Sequence, residues 1–160
     1  MKKSKIYLLL FFVIIVQTTI INRLKIFGVF PNLVLVLAFV FPFFLKQFDA
    51  VVYGFVCGLL LDFLTGRIIG VNAILLTYAA LAISLLSNKY VYINVINVFF
   101  VTLLMTFLYQ FIYVFLHYLI WKNGTFIGAL PKILLEAIYN SIIASVGYYI
   151  IQKTHKKPKF

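Results

Sequence analysis

Long apolar runs separated by short polar breaks dominate the chain. A membrane-crossing helix needs roughly 20 predominantly apolar residues, or about 17 at the short end. Six runs approach that length: residues 6–21, 26–45, 50–65, 71–87, 95–115 and 131–151. The breaks are Asn22, Arg23 and Lys25, then Lys46 to Asp49, Gly66 to Gly70, Asn88-Lys89, and Lys122-Asn123-Gly124. Residues 90–121 exceed one crossing, and Tyr113, His117, Tyr118 and Trp121 read as an interfacial aromatic belt at its end.

The second run is irregular. The residue before a proline avoids the α region, so Pro31 predicts a break near position 31, and Pro42 perturbs the run again. Helix over 33–45 alone is too short to cross unaided, which predicts a half-helix buried within the protein. Pro131 suits the first turn of the last helix. The expected fold is an all-α integral membrane protein: one polytopic domain over residues 1–160, built as a six-transmembrane-helix bundle.

Composition agrees. Of 160 residues, 65% are hydrophobic and 11% charged, against about half and about a quarter in soluble domains. The net charge of +11 would suggest nucleic-acid binding in a soluble chain. Here the cations sit between apolar runs, which points to topology control and anionic lipid instead. Six crossings put Lys2, Lys3, Lys5, Lys46, Lys89, Lys153, Lys156, Lys157 and Lys159 on one side, and Arg23, Lys25, Arg67, Lys122 and Lys132 on the other. Nine against five places both termini in the cytoplasm; five crossings would reverse the bias. The basic start and first apolar run lack a small-x-small cleavage pattern and read as a retained first crossing.

Candidate chemistry is sparse. Cys57 is alone, and His117 and His155 are far apart, so the expectation is no disulfide, no metal and no cofactor. No nucleophile–base pair or phosphate loop is present, and the expectation is a protein without enzyme activity. Gly54, Gly58 and Asp62 recur every four residues along one helix face. Paired glycines allow a close neighbour, either another helix of the bundle or a partner membrane protein. An intramembrane carboxylate marks a site or a buried pair by default. Arg67, Asn72 and Lys132 are candidate partners for Asp62, whose first reading is as a pin for the hairpin between the third and fourth crossings. Lys132, Glu136 and Asn140 share a face, with a Lys132–Glu136 ion pair expected and a partner- or ligand-facing role as the other reading. Thr102, Thr106 and Gln110 also repeat by four, a candidate inter-helix hydrogen-bonding stripe, with a polar ligand pocket as the other reading of the same residues.

Three groups of residues carry a resemblance. They are Pro31-Asn32-Leu33, then Gly54, Gly58, Leu59, Leu60 and Asp62, then Gly66, Gly70, Asn72 and Ala73. This spacing resembles the rod shape-determining protein MreD family, most densely from Pro31 to Ala73. The resemblance implies a non-enzymatic scaffold of the bacterial elongation machinery in the cytoplasmic membrane. Such a protein works beside MreC, the MreB filament and the glycosyltransferase–transpeptidase pair of side-wall synthesis. It also implies an architecture similar to the substrate-binding subunits of energy-coupling-factor transporters, from which comes an alternative: a vitamin-type small-molecule binding subunit.

Overall fold

A computed structural model describes residues 3–19, 28–65, 69–89, 93–121 and 126–154. The polar breaks around Arg23 and Lys25, Gly66 and Arg67, and Lys122 to Gly124 lie outside the described residues, as do Lys2, His155 and the last lysines of the tail. The described residues are helical: α1 (Lys3–Thr19), α2 (Leu33–Val40) with a tight 3₁₀ extension (Phe41–Phe44), α3 (Gln47–Thr65), α4 (Val71–Lys89), α5 (Val95–Trp121) and α6 (Phe126–Thr154).

Three helices hold segments long and apolar enough to cross a membrane, Gln47–Leu64, Val95–Ile120 and Gly128–Lys153. Ile6–Thr19, Leu33–Phe44 and Val71–Ser87 are apolar but shorter. Large apolar side chains such as Phe11, Phe12, Phe63, Phe100 and Leu104 point outward on several helices. A water-soluble domain seldom exposes such contiguous apolar surface, whereas a bilayer solvates it.

The short second helix is the centre of the molecule. Six of the eight α2 residues are buried, and α2 touches α1, α3, α4, α5 and α6. By helical rise, α2 and its extension reach about 20 Å, short of the ~30 Å hydrocarbon core. It is therefore the half-helix that Pro31 and Pro42 foretell. Proline at the second extension position is compatible with its missing N–H, and the chain leaves the helix at Leu45 in extended conformation.

Around this core, α3 pairs with α4 and α5 pairs with α6. α1 packs chiefly on α2, burying Ile6 and Leu10 and setting Tyr7 against Tyr53 of α3. Phe43 and Phe44 of the extension pack on Tyr148 of α6, and Phe41 packs edge-on to Tyr53.

One boundary differs from expectation. α6 starts at Phe126, so Pro131 stands inside the helix and not in its first turn. The apolar residues 126–130 continue the helix backward, and a proline this close to the N-terminus removes only one intrahelical bond.

Candidate functional site

The polar interior gathers at one end of the bundle. The end of α1, the start of α2, the end of α3 and the start of α4 meet there, beside the middle of α5 and of α6. Asp62, Asn72, Thr106, Asn140 and Ser141 are each at most 1% exposed.

Asp62 serves as a helix cap. Its Oδ2 accepts from the backbone N–H of Gly70 (2.8 Å) and Ala73 (3.2 Å), and its Oδ1 accepts from the N–H of Asn72 (3.1 Å). The first N–H groups of a helix have no intrahelical partner, and the helix dipole favours negative charge there. One carboxylate from the end of α3 therefore meets three donors at the start of α4. Gly70 holds φ +105, a left-handed conformation that glycine adopts without a Cβ penalty. This turn delivers its N–H to Asp62. Of the partners weighed from sequence, the start of α4 at Asn72 is in contact; Lys132 is exposed, and Arg67 lies outside the described residues.

The two glycines below Asp62 let the hairpin close. A Cβ at Gly58 would land on the Ala73 backbone and the Asn72 carbonyl oxygen. A Cβ at Gly54 would lie 2.5 Å from the Leu76 carbonyl oxygen and 2.7 Å from Ala80 Cβ. Real Cβ atoms do not come this close. Of the two readings of this face, packing within the bundle is the one seen, with α4 as the close neighbour.

Asn72 extends the network inward. Its side-chain Oδ1 accepts from the Tyr109 hydroxyl at 2.7 Å, linking α4 to α5. Tyr109 lies close enough to both Asp62 and Glu136 to interact with them electrostatically.

A second set of bonds holds the start of α2. Asn32 caps the helix, its side chain accepting from Leu35 N–H at 3.1 Å. Its own N–H donates to Asn140 Oδ1 of α6 (3.0 Å). Gln17 of α1 bridges the same turn: Oε1 accepts from Leu33 N–H (2.9 Å) and Nε2 donates to the Pro31 carbonyl (3.2 Å). At the other end, Ser84 of α4 donates to the Leu45 carbonyl at 3.1 Å. Non-helical backbone inside a membrane protein persists only where protein groups satisfy it, and these side chains do so for α2.

The Lys132, Glu136, Asn140 set is not an ion-pair site. Lys132 is exposed, whereas Glu136 is half-buried and meets Gln110 and Asn140. The shared face does not bring the charges together because lysine extends its stem toward water while Glu136 leans into the α5–α6 seam. Asn140 Nδ2 does not reach the carboxylate with hydrogen-bond geometry and has no protein partner. The threonine stripe also divides. Thr102 turns back onto its own helix, donating to Val98 O at 2.6 Å, and Thr106 Oγ1 has no partner. Gln110 alone of the three lies against Glu136 of another helix.

Two contributors escaped the sequence reading. Gln17 was visible only as a lone amide late in the first apolar run. Tyr109 is one of 11 tyrosines and carried no distinguishing signal.

Neither a curated protein nor a solved structure matches the chain. A family model, described as rod shape-determining protein MreD, matches residues 3–155. With nearly the whole length covered, the chain belongs to the MreD family, the rod shape-determining proteins.

Proposed function

We propose that this protein is a non-enzymatic scaffold of the rod-shape machinery, coupling the MreB cytoskeleton and an MreC-like protein to side-wall peptidoglycan synthesis. The family is part of the shape-determining MreB/MreC system and is membrane-embedded. In this reading the six helices form one bundle in the bacterial cytoplasmic membrane, the non-helical stretch of residues 28–32 completing the crossing that the short α2 begins; six crossings then put both termini in the cytoplasm by the nine-to-five bias of basic residues. The excess of basic residues on that side favours anionic lipid, at about 1 kcal/mol for each lysine near the surface.

The observation that carries the proposal is where the family-type residues are used. Pro31, Asn32, Gly54, Gly58, Asp62, Gly70 and Asn72 shape the bundle itself. Docking then falls to the outward helix faces, with the interior keeping those faces in fixed relation. Depletion in rod-shaped cells tests this: the cells should round up, and an MreC-like protein should co-purify with the wild-type chain. Rods that keep their shape on depletion would contradict it.

A further inference from the structure

We propose that the α5–α6 seam beside the start of α2 holds a hydroxyl-binding site formed by Thr106, Asn140 and Glu136. The inference is independent of the scaffold reading.

Thr106 is fully buried, and its Oγ1 has no protein partner. Other helical hydroxyls here behave differently. Thr18, Thr77, Thr102, Ser141 and Ser145 each donate to the carbonyl four residues back, the usual refuge for a hydroxyl in an apolar helix. Thr106 forgoes that bond and keeps its hydroxyl free for another group. Leaving it unsatisfied would carry the desolvation cost of a buried polar atom.

Asn140 has the complementary need. Its Oδ1 accepts from Asn32 N–H, and because a backbone N–H can only donate, the amide orientation is fixed. The NH₂ end is therefore the end without a partner, at 1% exposure for the residue, and it lies beside Glu136.

Antiparallel register brings the two groups to one level. Gln110 meets Glu136, and Ile93 O accepts from the Tyr148 hydroxyl at 3.4 Å toward the other end of the pair. Between these marks, Thr106 and Asn140 fall at the same depth to within about a residue.

These groups define the guest. Asn140 Nδ2 needs a lone pair, so an ammonium cannot serve. Glu136 lies beside Asn140, and a bare anion against its carboxylate cannot serve. Thr106 can give or take. One hydroxyl oxygen satisfies all three, supplied by an ordered water with two to four polar partners or by the hydroxyl of a bound molecule entering past the half-buried Glu136.

Thr106→Val gives a test of sign. It removes the hydroxyl at nearly constant shape. If the site takes a hydroxyl, the variant should melt about 2–4 °C below wild type in lipid nanodiscs. If nothing binds, removing an unsatisfied hydroxyl should leave the melting temperature unchanged or raise it, and the proposal fails. Water-edited solid-state NMR of the wild-type protein in bilayers gives a second readout: a water contact at the Asn140 side-chain amide that Thr106→Val weakens. Native mass spectrometry separates the sources. A co-purifying hydroxyl compound lost in Thr106→Val identifies a bound molecule, and the stability loss without such a mass identifies water. Neither a water contact nor an adduct in the wild type would overturn the site.

Discussion

The two interior carboxylates at this end of the bundle live in different circumstances. Asp62 is wholly buried and has three backbone N–H groups aimed at it. Glu136, across Tyr109, is half-buried and shares its seam with amides and a threonine whose capacity is not used up. A carboxylate that answers the open end of a helix is structural, since removing it leaves several donors stranded at once. A carboxylate among side chains with unmet bonds can be neutralised at small structural cost and is available to a guest. Burial alone would have ranked Asp62 as the more functional group; its hydrogen-bond partners reverse that order.

The strongest way to break the comparison is at the glycines. Gly58→Leu has no room against Ala73 and Asn72, so α3 and α4 must separate and Asp62 loses its donors. The expected result is loss of folded protein, read as a missing monodisperse peak after detergent extraction. A well-folded Gly58→Leu would show that the hairpin does not close as described.

Next is Asp62→Ala. It strands two buried N–H groups and the part-buried one of Gly70, at a cost of about 3–5 kcal/mol, or a fall in melting temperature of roughly 10 °C for a chain of this size. Asn32→Ala removes the cap of α2 and should cost about 1 kcal/mol, seen as a shift of about 2–4 °C. Loss of amide protection in the first turn of α2 on hydrogen exchange would accompany it. Smallest is Lys132→Ala. With the side chain exposed and out of an ion pair with Glu136, its effect should stay within about 0.5 kcal/mol. A larger loss would restore the ion pair expected from the i, i+4 spacing.

Much of this was legible in the chain. The prolines flanking residues 33–41 marked the half-helix, because their geometry acts locally wherever the segment ends up. The four-residue spacing of Gly54, Gly58 and Asp62 put them on one face for the same reason. What covers that face depends on which helix returns against it, and spacing cannot say. The Lys132–Glu136 pair misled because shared helix geometry fixes proximity of the Cβ atoms but not where two long side chains find water or partners. Gln17, Tyr109 and Asn140 act across 14 or more residues of sequence on groups that become neighbours only in the assembled bundle. Pro131 shows the reverse limit: a strong local preference for the first helical turn yields where apolar sequence before it can still be helical.

The central claim is that Asp62 builds the bundle while Glu136 does not. Two charge-removing, shape-preserving substitutions test it in one experiment, thermal unfolding of Asp62→Asn and Glu136→Gln in the same nanodiscs. The Asp62→Asn amide must point an NH₂ group at one or more of the N–H donors of α4, so its melting temperature should fall by more than about 5 °C. Glu136→Gln keeps an acceptor for Gln110 and sheds a half-buried charge, so it should stay within about 2 °C of wild type. The opposite order, with Glu136→Gln strongly destabilised and Asp62→Asn unaffected, would contradict the account.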